Sequence, residues 1–458
     1  MNKTLFNDFP EVSAKQWKQQ IQADLKGADY NETLIHHTNE GIDIKPFYNK
    51  EDIITTPKSG YTQATAWLVN QAIFVYDIEA ANAKAVDALN RGAESITFVL
   101  PKSDVSLTDL FKNIDLNKTP LYFELQFLSA AFIKQLNEFS KTHQATFYIT
   151  NDIIGNLAKS GNWHSTLQDD HAELEAIIKN SPNLKSVLAV DISLYQNAGA
   201  NMVQQLAYAM AHCNEYLNHF TSEGKLDTEV TFKVSAGTNY FFEIAKLRAL
   251  RLLWESLANE YSITSTCNII AQPTKRNKTL YDYNTNMLRT TTECMSAVLG
   301  GANAVCNLPY DAIYHKDNEF GDRIARNQLL VLKNESYLDK VNNPADGSYY
   351  IEYITQQLAE KALELFKDLE ANGGFLKQLK EGTIQRKIKE SATKEQEQFN
   401  EGKEILLGTN KHPNPDDKMK GDLELYPFFK TESRKTLIEP IIEKRLAEAV
   451  EQKRLEDE

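Results

Sequence analysis

Short apolar runs rich in β-formers alternate with longer amphipathic stretches between residues 63 and 310. Eight of the runs read as strands: 64–69, 95–100, 121–125, 145–150, 186–192, 230–234, 266–271 and 302–307. Between them, residues 78–91, 198–220, 240–261 and 284–299 place apolar side chains at helical spacing. The run Ser186-Val187-Leu188-Ala189-Val190-Asp191-Ile192 is almost continuously apolar, as a strand covered on both faces must be. Eight strands alternating with helices predict an α/β fold, a (β/α)8 TIM barrel. A doubly wound open sheet is the alternative assembly of the same elements.

The flanks read differently. In residues 13–26, Trp17, Ile21 and Leu25 recur at i, i+4 and i+8, which predicts one amphipathic helix with Gly27 as its stop. Asn39-Glu40-Gly41 predicts a turn, and Ile42-Asp43-Ile44-Lys45-Pro46-Phe47-Tyr48 alternates like a short strand. This stretch reads as an arm that needs a surface to pack on. Beyond residue 311 the strand signal fades. Residues 352–379 predict one or two helices, 411–417 a surface loop, and 432–458 a charged helix whose final residues, 454–458, form a solvated face. The expected organisation is an N-terminal arm over 1–62, a barrel over 63–335 and a C-terminal helical extension over 336–458.

Charge narrows the partners. Lys and Arg number 50 against 63 Asp and Glu, a formal net charge of −13, so nucleic acid and anionic membrane are poor electrostatic matches. The longest apolar runs fall short of the ~20 residues that span a bilayer, and Met1 to Asp8 contain no apolar core of a secretory signal. Cys213, Cys267, Cys294 and Cys306 form no CxxC pair. Four thiols in such a chain suit a reducing compartment, and the expected location is cytoplasmic. The expected role of each thiol is that of a small buried side chain.

Catalytic signals are sparse. No Walker loop, GxGxxG, GxSxG or HExxH occurs. Gly300-Gly301 reads as a helix cap. His36-His37 reads as a surface pair. His212 and His219 share a helix face without companion ligands, so no metal site is expected. Barrel enzymes carry their chemistry at the C-terminal ends of the strands. The expected ends here hold amides, hydroxyls and the carboxylates Asp152 and Asp191, each of which reads equally as an acid–base group or a helix N-cap. One basic cluster, Lys275-Arg276-x-Lys278, follows the seventh strand. It reads either as a solvated loop or as a weak anion site.

Several stretches resemble the methylmalonyl-CoA mutase family. They are Glu40-Gly41-Ile42-Asp43-Ile44-Lys45-Pro46-Phe47-Tyr48, Asn151-Asp152-Ile153, Ala198-Gly199-Ala200-Asn201, and the long block from Phe241-Phe242-Glu243 through Ala245-Lys246-Leu247-Arg248 to Trp254. Ala297-Val298-Leu299-Gly300-Gly301, Arg323-Ile324-Ala325-Arg326-Asn327 and Asp346-Gly347-Ser348-Tyr349-Tyr350-Ile351-Glu352 follow in the family's order. The resemblance implies a substrate-binding TIM barrel, which in the family's catalytic chains precedes a cobalamin domain marked by D-x-H-x-x-G. Asp169-x-His171-x-x-Leu174 lacks the glycine and lies inside the barrel region, so it is set aside.

The same alignment replaces the family's catalytic groups. Ala72 stands for the Tyr of W-x-I-R-Q-Y, Thr150 for the Gln of Q-N-D-I, Ser160 for the Arg ten residues later, and Leu194 for the His of G-Y-H-I-R-E-A-G-A. Leu cannot donate a hydrogen bond, and Ser cannot clamp a carboxylate as Arg does. The resemblance therefore points to the small (beta) subunit, in a short form without the cobalamin-binding domain. It implies no cofactor bound by this chain, adenosylcobalamin in the large (alpha) subunit, and a pseudo-twofold heterodimer. Two other readings stay open: a catalytic acyl-CoA mutase chain served by a separate cobalamin-domain protein, and a non-enzymatic binder of a CoA thioester at Lys275, Arg276 and Lys278.

Overall fold

The computed structural model describes residues 10–53, 64–221, 229–429 and 434–458. The readings for residues 1–8, for 54–62 of the arm and for 432–433 lie outside them. The eight expected strands form one parallel sheet: β1 (Leu68–Phe74), β2 (Ser95–Leu100), β3 (Leu121–Leu125), β4 (Phe147–Ile149), β5 (Leu188–Asp191), β6 (Val230–Ala236), β7 (Asn268–Pro273) and β8 (Ala304–Cys306). Hydrogen-bonded neighbours run β4-β3-β2-β1-β8-β7-β6-β5. A parallel bridge from Tyr148 to Ser186, with Ile149 N–H donating to Ser186 O at 2.7 Å, joins β4 to the chain entering β5 and closes the ring. The chain is a (β/α)8 barrel.

β1 departs most from expectation. Ala64–Ala66 is a single 3-10 turn, and the strand begins at Leu68 and runs on to Phe74. Ala72 thus lies within the strand, paired in register with Thr97, and not at its end.

Outside the strands run α1 (Ala14–Asp24), α2 (Ile78–Asn90), α3 (Ile153–Ser160), α4 (Met202–Thr221), α5 (Tyr240–Glu260), α6 (Thr285–Leu299), α7 (Glu319–Leu330), α8 (Tyr349–Ala371), α9 (Thr383–Asn400) and α10 (Glu448–Asp457). The helix starts follow local chemistry. Asp77, Asp152 and Asn318 each accept a backbone N–H of the first turn of α2, α3 and α7. α6 stops at Gly300, after which Gly301 takes φ +89°. The C-terminal helices are not a separate layer of their own. Ile354, Leu358 and Ala362 of α8 and Ile384 and Ile388 of α9 belong to the buried cluster that holds Leu206 and Tyr208 of α4 and Leu247 and Leu250 of α5.

The last segment corrects the expectation of one long helix from 432. Residues 434–447 are irregular, and only α10 is helical. Pro440 has no N–H and disfavours helix on its N-terminal side. The N–H groups around it serve other loops instead. Leu437 and Ile438 bond Gly161 O, Ile441 bonds Ala158 O at 2.7 Å, Lys444 bonds Asn197 O and Leu446 bonds Arg276 O at 2.9 Å. The segment is a strap laid across the connections that follow β4, β5 and β7. Its terminus is only partly a solvated face: Glu456 and Asp457 are exposed, but Arg454 stacks 3.9 Å from the Tyr281 ring centroid, and the Glu458 carboxylate accepts from Tyr281 OH at 2.5 Å.

In the arm, Ile42 is buried in the barrel core, Asp43–Ile44 pairs antiparallel with His36–His37, and Tyr48 lies against Tyr350 and Tyr353 of α8. α1 itself has no buried residue.

Candidate functional site at the barrel mouth

Alternation along each strand sends one set of side chains outward to the helices and the other into the bore. At the lower level Leu68, Tyr122, Tyr148, Ile270 and Ala304 form an isolated cluster, with Tyr122 and Tyr148 stacked at 4.6 Å. A polar belt comes next. Asn70 donates to Ser95 Oγ at 2.9 Å and accepts from Thr97 Oγ1 at 2.8 Å, while Thr231 donates to Ser186 Oγ at 2.9 Å.

Toward the mouth, Lys233 of β6 reaches across the bore. Its Nζ donates to Glu124 Oε2 of β3 at 2.7 Å and stands 3.7 Å from Asp191 Oδ2 of β5. The Lys233 ammonium holds Glu124 below the ordinary carboxylate range. Burial works against the charge of Lys233, but Glu124 and Asp191 outweigh it and its pKa is raised. Asn197 holds Glu443 of the strap at 2.8 Å, and Glu443 also adds to the field on Lys233. The bore is thus filled from below by tyrosines and bridged near its mouth by an ion-paired lysine. Lys233 lies within β6, below the strand end that the sequence reading covered. The signal was one charged position in the run Val230-Thr231-Phe232-Lys233-Val234, whose inward phase with Thr231 follows from period two.

The four positions aligned with family catalytic groups occupy four different environments. Ala72 faces the bore and is exposed. Thr150 spends its Oγ1 on Phe123 O at 3.0 Å. Ser160 closes α3, donates to Asn162 O at 2.7 Å, and its carbonyl accepts Arg434 of the strap at 2.6 Å. Leu194 is buried in the main hydrophobic cluster.

Asp152 is a cap and a hub. It accepts from Gly155 N at 2.7 Å, Asp191 N at 2.8 Å and Tyr216 OH at 2.7 Å, with His212 Nε2 at 2.9 Å. Burial raises its pKa, but His212 and these donors prevail and hold it low. Tyr195 OH and His212 Nδ1 are 2.8 Å apart, and Tyr195, His212 and Tyr216 are fully buried. Asp191 accepts from Ser193 N at 3.0 Å. Neither aspartate is free for acid–base work.

The fold splits the basic cluster. Lys275 is exposed, but Arg276 and Lys278 are buried. Arg276 pairs with Glu395 at 2.5 Å and donates to Lys444 O, and Lys278 pairs with Glu293 at 2.7 Å. Of the three, Lys275 alone is exposed, while Arg276 and Lys278 are ion-paired within the fold.

All four cysteines are buried, and burial pushes the Cys267 and Cys306 thiols up to about 11. Among the described residues no group of three or more His, Cys, Asp or Glu side chains is placed to hold a metal ion. No helix among them is long and apolar enough to cross a membrane. His171 bonds Leu167 O at 2.8 Å within its own helix on the barrel's flank.

A profile of the family described as methylmalonyl-CoA mutase matches residues 102–456. The methylmalonyl-CoA mutase small subunit of Porphyromonas gingivalis is 36% identical over 90% of this chain and 71% of its own length. The small subunit of Propionibacterium freudenreichii subsp. shermanii is 27% identical over 82% of this chain and 64% of its own length. A methylmalonyl-CoA mutase of Rhizobium meliloti is 28% identical over 88% of this chain and 64% of its own length. The chain spans about two thirds of the length of these relatives.

Proposed function

The chain belongs to the methylmalonyl-CoA mutase family, and we propose that it is the small, non-catalytic subunit of a heterodimeric methylmalonyl-CoA mutase. Its partner is the large subunit, which interconverts (R)-methylmalonyl-CoA and succinyl-CoA. The radical chemistry comes from adenosylcobalamin bound by that partner. This chain binds no cobalamin.

The observation that carries the reading is the ion-paired bridge that Lys233 makes across the bore. A barrel that works on an acyl thioester needs an open mouth and groups aimed at the reacting carbonyl. Here Lys233, Glu124 and Asp191 spend their charges on one another across that space, and Leu194 cannot donate to a carbonyl. Ala72 and Ser160 offer neither an aromatic wall nor a bidentate cation. The relatives named small subunits support the assignment of the partner. Two related barrels meeting about a pseudo-twofold axis follow the preference of oligomers for closed symmetry.

The test is association. Light scattering of the chain mixed with a mutase large subunit is expected to give a mass equal to one copy of each. Two species that elute and scatter independently at micromolar concentration would overturn the proposed role.

A further inference from the structure

A second feature lies on the outer wall of the barrel. α2 and α7 flank a groove of about 480 Å³ floored by Gln71 of β1. Arg326 of α7 projects into it and is only 6% exposed. Its Nη1 donates to Gln71 Oε1 at 2.7 Å, but its Nε has no hydrogen-bond partner. Among the described residues, no carboxylate lies within ion-pairing distance of it. Burial depresses its pKa, with Asp87 and Asp322 the acids whose field reaches it. Both are committed elsewhere: Asp87 accepts from Arg91 Nε at 2.7 Å, and Asp322 pairs with Lys84, which Asp317 also holds. Arg323, Glu319 and the Asp87-paired Arg91 line the same groove.

A buried guanidinium with an unmet donor is costly. The Nε edge of the fork matches an oxyanion in geometry and charge. We propose that this groove is a binding site for a small oxyanion of the phosphate class, received on the Arg326 guanidinium and flanked by Arg323. Gln71, Asp322 and Arg326 also border a smaller cavity with Ala72 and Asn307 at the barrel mouth, and the proposal does not depend on the subunit assignment.

Inorganic phosphate titrated calorimetrically into the full chain, against chloride at matched ionic strength, tests it. Saturable binding is expected, at least tenfold weaker in Arg326→Gln. Arg326→Lys, which keeps the charge without the fork, is expected to bind between the two. Arg323→Gln alters an exposed side chain and serves if Arg326 variants fail to fold; it is expected to weaken binding a few-fold. Acetate competing as well as phosphate would assign the site to carboxylates and overturn the phosphate class. No saturable binding by the unmodified chain, or equal binding by folded Arg326→Gln, would overturn the site itself.

Discussion

At the scale of single residues, Lys233 decides what the barrel can do. Replacing it with Met leaves Glu124 and Asp191 facing each other without a cation. Removing one partner of a buried pair costs ~3–5 kcal/mol, and the partial exposure of Glu124 places this one near the lower limit, about 3 kcal/mol by urea denaturation. The pH dependence has a definite sign. Glu124 titrates below its unfolded value of 4.5 in the folded chain, so its contribution is present above that value and is lost as pH falls through the folded one. Stability is therefore expected to fall on acidification below pH 4.5, with a shallower slope in Lys233→Met. An unchanged acid limb in that variant would separate Glu124 from Lys233. Gly199 is the second sensitive position. It takes φ +98°, and a Cβ there would stand 2.5 Å from Ala392 Cβ. Gly199→Ala is expected to cost about 1–3 kcal/mol from strain alone, read as a lowered denaturation midpoint.

Among elements, the strap ties the C-terminus to the loops after β4, β5 and β7. Ile438, Ile441 and Leu446 are its buried anchors. Ile441→Ala is expected to destabilise the chain by about 2–4 kcal/mol, the range for truncating a buried aliphatic side chain. The neighbouring Ile442→Ala, at a 40% exposed position, is expected to change stability by less than about 0.5 kcal/mol. Equal effects would mean that the strap is not seated as described. The barrel was legible at this scale because burial on both faces writes itself as continuous apolar runs, and Ser95–Leu100 and Leu121–Leu125 match their expected bounds. The shifted β1 and the strap were not legible. Thr65 and Ala66 share the apolar, β-compatible character of a strand, yet the ladder with β8 begins only at Leu68. The charge pattern of 432–458 imitates a helix, while its N–H groups are claimed by distant carbonyls. α9 was missed outright because its buried side, Ile384, Gln385, Ile388 and Phe399, is sparse and broken by an amide.

Across the whole molecule, the aligned replacements at Ala72, Thr150, Ser160 and Leu194 were readable from sequence, but their surroundings were not. What fills the bore depends on Lys233 and Glu124, about a hundred residues apart, meeting across the ring. Likewise, only the fold shows that Arg276 and Lys278 face Glu395 and Glu293. Restoring single groups is therefore expected to be insufficient. Ala72→Tyr combined with Leu194→His is expected to yield no turnover, because the plug remains and Leu194 packs in the core.

The most direct measurement is mutase turnover with adenosylcobalamin and (R)-methylmalonyl-CoA, on this chain alone, on the large subunit alone, and on the two together. The account predicts no succinyl-CoA from the lone chain at any concentration, and turnover whenever the large subunit is present in the complex. Turnover by the lone chain that is abolished by a substitution in its own barrel would contradict it.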